Sequence, residues 1–249
     1  MSIKERVGSH WAVKPQTMML LAIISSVAWF VFEYLNFFIL ENWYYPNDKV
    51  FTTYGNYVWY LTSYTIIFPA TFEFYHLFET IPWLKDKYAY GPKITFSKTF
   101  KTFILLFGIL SSILMGLYPQ EFFFTIWLNP AMIMGAMLGL LGFENLFTQL
   151  KNGNWTKMLL VAISMLSIAF IWEFINWGSG FFNSDQQINA SYWKYSIPYI
   201  GLIQLPFSEM PILGYFGYIP YAWICWIQWN VAANLFGFDA DVSLDNELN

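Results

Sequence analysis

Apolar runs long enough to cross a bilayer, about 18 residues or more, recur along this chain near 18–40, 56–78, 101–118, 122–147 and 156–178. A further apolar region, 197–238, is too long for one crossing helix of ~20 residues. Pro206, Pro211, Gly214, Gly217 and Pro220 punctuate it, which divides it into a broken helix near 198–218 and a final helix near 220–238. The expected fold is therefore all-α, a polytopic transmembrane helical bundle of seven spans, with six as the alternative. Only 11% of the 249 residues are charged against 57% hydrophobic, whereas soluble domains carry about 25% charged residues. A membrane β-barrel is excluded because the runs do not alternate in ~10-residue segments.

Lysine and arginine placement sets the expected orientation. Lys4, Arg6 and Lys14 precede the first run, five lysines fall in 79–101, and Lys151 and Lys157 fall in 148–157, leaving only Lys49 and Lys194 on the other side. That bias places the N-terminus in the cytoplasm. No small-residue cleavage site follows the first run, so it reads as a retained helix rather than a removed signal peptide.

Within this apolar background a Glu-x-x-Asn phrase occurs twice, at Glu33/Asn36 and at Glu173/Asn176. An ionisable group at bilayer depth costs about 2.5–3.5 kcal/mol on insertion scales and marks a functional site by default. Glu33, Asn36, Trp59, Pro69 and Glu73 can be laid over Glu173, Asn176, Trp193, Pro206 and Glu209. The overlay makes 18–118 and 156–238 repeat halves, linked by the span at 122–147. Its spans run in the same direction, the parallel arrangement of some transporters. The four carboxylates must be protonated, hydrogen-bonded or wetted, and a close pair can divide the roles of proton donor and acceptor. Glu144 near the interface reads as structural.

Other chemistries are poorly supplied. Cys225 is the single cysteine, and His10 and His76 are the only histidines, so a disulfide, a multi-cysteine metal site and histidine-rich di-iron chemistry are excluded for this chain alone. Glu73, His76 and Glu79 share a helix face, but the second Glu-x-x-His of a bundle metal site is missing, and His76 reads as an interfacial hydrogen-bond partner. No basic patch points to nucleic acid. Aromatics make up 22% of the chain. Trp43, Tyr44, Tyr45, Trp83 and Trp193 read as interfacial belts. Trp29, Tyr64, Trp172, Trp177, Trp223, Trp226 and Trp229 fall within spans, where rings can line an apolar pocket and stabilise a cation. Two prolines flank Glu209, and irregular backbone at membrane depth belongs where it lines a cavity or is buried in protein.

Trp193-Lys194-Tyr195 followed by Leu205-Pro206-x-x-Glu209 resembles the membrane-embedded lycopene cyclase domain, where Trp-x-Tyr precedes Leu-Pro-x-Glu-Glu within small duplicated multi-span units. The resemblance covers about 170–215, with an echo over 30–75. Ser208 stands where the first Glu of the pair is expected, and Phe68-Pro69-Ala70-Thr71-Phe72-Glu73 places its Glu one residue later. The resemblance implies a cofactor-free isomerisation of a polyene or isoprenoid held in the lipid bilayer. Glu209 or Glu173 would protonate an alkene, Glu33 or Glu73 would accept the proton, and Trp172 and Trp177 would shield the cation. Asn36, Asn176, Trp193 and Tyr195 complete the substrate-contacting set it implies. The same features also describe a small proton-coupled transporter, or an accessory subunit whose acids pair with a membrane protein partner.

Overall fold

The computed structural model describes residues 15–182, 189–240 and 242. The described chain is predominantly helical. In order come α1 (Pro15–Leu35), a π-helical turn (Asn36–Leu40), β1 (Trp43–Tyr44), α2 (Thr53–Tyr64), α3 (Ile67–Glu79) and α4 (Pro82–Lys87). Then follow α5 (Lys98–Leu117), α6 (Pro119–Phe122), a 3-10 turn (Phe123–Trp127), α7 (Asn129–Leu141) and a second 3-10 turn (Thr148–Asn152). The last elements are α8 (Thr156–Phe182), β2 (Lys194–Tyr195), a 3-10 turn (Ile212–Gly217) and α9 (Tyr218–Phe236).

Among the described residues three helices are long and apolar enough to cross a membrane: Pro15–Leu40, Lys98–Leu117 and Thr156–Phe182. A fourth crossing results if Pro119–Trp127 and Asn129–Leu141, bent by 48°, count as one. The seven expected spans, and equally six, are thus reduced to three or four, and each loss has a local cause. Expected span 56–78 is cut after Tyr64, because Pro69 has no N–H to give the Thr65 carbonyl and its ring crowds that carbonyl. The bend in 122–147 falls where Pro130 enters at the start of α7. Residues 198–211 form no helix. They fold back on themselves through a Gln204–Pro211 bridge and an Ile212 N–H to Ile203 carbonyl bond of 3.0 Å. The anticipated broken helix is therefore a hydrogen-bonded loop. The 220–238 segment is helical but falls outside the crossing set, since its Trp, Tyr, Asn and Gln content lowers its hydropathy.

That last helix is the centre of the molecule. Tyr221, Ile224, Cys225, Trp226, Ile227 and Trp229 on α9 are buried, so it is covered nearly all round, as an interior helix is. It packs against α8, α7 and α1; α3 lies between α1 and α8, and α5 pairs with α7. The three long helices instead turn apolar side chains outward. Ile23, Val27, Phe30 and Val31 of α1, Phe103, Leu106 and Leu110 of α5, and Phe170, Ile171 and Phe174 of α8 are all exposed. Such apolar helix stripes suit a lipid surround better than water.

The loops bearing most of the lysines are fastened together at one end. Gly91 N–H donates to the Gly153 carbonyl (2.7 Å), Ile94 N–H to Leu150 (2.9 Å) and Trp155 N–H to Tyr88 (2.9 Å). Gly153 is required here: its φ is +79°, and an added Cβ would come within 2.5 Å of the Gly91 oxygen. Gly153→Ala is expected to destabilise by roughly 1–2 kcal/mol from the left-handed backbone alone, with steric crowding added. A lowered unfolding midpoint in detergent checks this, and an unchanged midpoint contradicts it.

Candidate functional site

Helix α1 ends in the π turn, and Glu41 follows in the left-handed conformation (φ 51°) with its N–H on the Asn36 carbonyl at 2.8 Å. Asn36, 5% exposed, then holds the reversed chain. Its Oδ1 accepts the Asn42 and Trp43 amides at 2.7 and 3.1 Å, and its Nδ2 donates to the Trp43 carbonyl at 2.7 Å. The chain so returned lies back over α1. Trp43 Nε1 donates to Glu33 at 3.1–3.2 Å and Tyr45 Oη at 2.5 Å. Trp29 Nε1 (2.9 Å), from the preceding turn of α1, and Tyr64 Oη (3.0 Å), from the end of α2, complete the set. Glu33 is half-buried and takes four side-chain donors.

Glu173 is built by the same device. Asn176 Oδ1 accepts the Trp193 amide (3.0 Å) and Nδ2 donates to the Trp193 carbonyl (2.9 Å). Tyr195 Oη donates to Glu173 Oε1 at 2.6 Å, and Tyr218 Oη, from the start of α9, to the same oxygen at 2.7 Å. Trp193 Nε1 donates to Tyr195 Oη at 2.8 Å. Glu173 is fully buried, and its Oε2 makes no hydrogen bond among the described residues.

The two units meet in an antiparallel ladder, Trp43 opposite Tyr195 and Tyr44 opposite Lys194. Trp43-x-Tyr45 therefore corresponds to Trp193-x-Tyr195. The expected overlay of Trp59 on Trp193 is corrected: Trp59 is exposed and bonds Ser191 Oγ instead. Trp43 and Tyr45, read as belt residues, belong to the Glu33 unit, and Trp43 is 6% exposed. Low polarity around Tyr45, and secondarily the Glu33 carboxylate, push its phenol well above the usual value. Burial and then Glu173 do the same for Tyr195. Both hydroxyls stay protonated and available as donors.

Between the units lies a cavity of about 700 Å³, within the ~300–1,000 Å³ range of small-molecule sites. Trp29, Trp43, Tyr45, Tyr64 and Trp127 line it on the Glu33 side, with Tyr221 packed edge-on against Trp29 and Trp127, and Trp172, Trp193, Tyr195 and Tyr218 line it on the Glu173 side. Among the described residues no carboxylate lines it; each of the two glutamates stands behind its tyrosines.

No family model, characterised protein or solved structure matches this chain.

The remaining sequence-predicted residues divide accordingly. Asn176 reaches the cavity wall, while Asn36 acts only on backbone. Glu73 lies half-buried on α3, and Glu209 accepts Tyr192 Oη at 2.6 Å on the 198–211 loop; neither lines the cavity. Trp177 stacks on Phe181 and meets Phe207 edge-on, away from the cavity. Of the other in-span aromatics, Trp29, Tyr64, Trp172 and Trp223 line it, whereas Trp226 and Trp229 fill the core. His76 is buried with its Nε2 on the Val242 carbonyl. Among the described residues no group of three His, Cys, Asp or Glu could hold a metal ion. Sequence reasoning missed Tyr45, Tyr218 and Tyr221 as cavity residues. The recoverable signal was the repeated Trp-x-Tyr phrase after each Glu-x-x-Asn.

Proposed function

We propose that this chain is a multi-pass integral membrane protein, with its N-terminus in the cytoplasm, that holds an elongated apolar isoprenoid or polyene in the aromatic cavity and isomerises it by ring closure. The observation that carries this reading is the cavity itself, walled by indoles and phenols and flanked by two carboxylate–tyrosine units. The units and their ladder support two repeat halves meeting at the ladder.

In this scheme the carboxyls act through their tyrosines. Glu173 enters as the carboxylic acid: one phenol, Tyr195 or Tyr218, turns its O–H from the carboxyl to a terminal alkene carbon and gives up that proton while its oxygen takes the carboxyl proton. An internal double bond then supplies the electron pair for the new C–C bond. The C–H beside the resulting cation loses its proton, through Tyr45 or Tyr64, to Glu33. The product has the formula of the substrate, and no oxidant or reductant is consumed. Ring faces of Trp29, Trp172 and Tyr221 stabilise the cation electrostatically.

The test is expression of the full chain in cells that accumulate linear polyprenyl and carotenoid precursors, followed by lipid extraction and mass analysis. A new isomer of unchanged mass and altered retention is expected. Unchanged lipids overturn the reading. The satisfaction of Glu33 by four donors favours a second reading, an interaction subunit in which the acids only lock helices together. Copurification with a fixed membrane partner, without any new lipid, selects it.

A further inference from the structure

A second cavity, about 460 Å³, opens between the N-terminal turns of α5 and the length of α7, from Ala131 to Gly139. Its walls are mainly apolar, but Lys101, Lys151, Asn145, Thr148 and Glu144 also line it. Lys101 lies across α7 with Nζ on the Gly139 carbonyl at 2.8 Å. The lysine stem runs close over Gly139, where an added Cβ would lie 3.3 Å from it. Lys151 is exposed on the neighbouring 3-10 turn. Thr148 Oγ1 accepts the Asn145 amide at 2.9 Å, which leaves the hydroxyl hydrogen to donate. Among the described lining residues two ammonium groups outweigh the one carboxylate, that of Glu144, which is exposed.

We infer that this cleft binds an anionic phospholipid, its phosphate between Lys101 and Lys151 and its acyl chain on the apolar wall. Three observations converge. The charge at the mouth is complementary to a phosphate, and basic pockets between membrane helices recognise such head groups. The wall behind the lysines, including Phe100, Ile104 and Met132, is too apolar for a free anion and suits a hydrocarbon chain. The exposed Phe103 and Phe107 extend that apolar strip along α5, so a chain leaving the cleft continues onto the lipid-facing side of the helix. The cleft also lies at the lysine-rich end, where an anionic leaflet is expected to face the protein. This site stands apart from the aromatic cavity, with Leu128 and Trp223 contributing to the walls of both.

The full chain, purified in neutral detergent, is titrated with short-chain phosphatidylglycerol, phosphatidylcholine of equal chain length, or glycerol 3-phosphate. Retained lipid is read by native mass spectrometry and protection by the thermal unfolding midpoint. Phosphatidylglycerol is expected to be retained roughly tenfold or more over phosphatidylcholine, since each lysine near an anionic head group adds attraction, and glycerol 3-phosphate to give no protection. Lys101→Gln/Lys151→Gln should erase the preference, and Lys98→Gln, on the same helix end outside the cleft, should keep it. Because Lys101 also holds the Gly139 carbonyl, Lys151→Gln alone must still weaken the preference several-fold. Equal retention of the two lipids, protection by glycerol 3-phosphate alone, or a preference that survives both lysine substitutions overturns the inference.

Discussion

Glu173→Gln is expected to lower formation of the cyclised lipid by about 10²–10⁴-fold, the usual contribution of a positioned acid or base, while leaving the protein folded. The amide keeps an acceptor where Tyr195 and Tyr218 converge on Oε1. It replaces Oε2, which makes no hydrogen bond among the described residues, by an NH₂ whose two hydrogens need acceptors. That exchange costs about 1–3 kcal/mol, enough to lower the unfolding midpoint without abolishing the structure. Glu173→Ala is harsher, since two partly buried phenols lose their acceptor together, at about 2–6 kcal/mol. Tyr218→Phe combined with Glu173→Gln should be little worse than Glu173→Gln alone, because groups acting as one unit are not additive. Product formation in the Gln variant at the wild-type level would remove Glu173 from the chemistry and leave it the structural role of the interaction-subunit reading.

The second large effect is on stability and separates the two asparagines. Asn36→Ala strands the Asn42 and Trp43 amides and the Trp43 carbonyl. Asn176→Ala strands only the amide and carbonyl of Trp193. At roughly 1–3 kcal/mol per orphaned group, less where water reaches it, about 3–5 kcal/mol is expected for Asn36 and about 2–3 kcal/mol for Asn176. Denaturant unfolding in micelles measures both. Asn36→Asp, which keeps the acceptor oxygen, should fall between wild type and Asn36→Ala. An alanine variant at Asn36 no less stable than one at Asn176 would mean that the turn after α1 is held by something else.

The polar skeleton of the site was legible because it stood out against grease: Glu33, Asn36, Glu173 and Asn176 are conspicuous in apolar helices, and all four shape the site. Their partners were hidden by spacing. Trp43 follows Asn36 by seven residues and Trp193 follows Asn176 by seventeen, so an overlay keyed to the distance from Trp to the later Glu selected Trp59. The span count failed for a related reason. Hydropathy cannot separate a helix that faces lipid from one that faces protein. The apolar content of 56–78 and 197–238 is split between α3 and α9, which pack inside, and α2 and the 198–211 loop, which leave Tyr57, Leu61, Leu202 and Ile203 exposed. Glu73 and Glu209 were drawn in by the Pro-to-Glu step, yet Pro69 serves to start α3 and the second step lies on a loop.

The Trp43–Tyr44 and Lys194–Tyr195 ladder sets a rule for how such a chain can drift. Side chains alternate along a strand, so a slip of one residue sends each to the opposite face. A shift at β2 would bring the Lys194 ammonium towards Glu173 and turn the Tyr195 phenol away from it. Changes of length on either side of the two-residue pairing alter nothing about which face Tyr45 and Tyr195 present, whereas one residue added inside Trp-x-Tyr inverts a face. Natural variants of this chain should therefore differ freely in the lengths joining Asn36 to Trp43 and Asn176 to Trp193, and hold both three-residue phrases at fixed length.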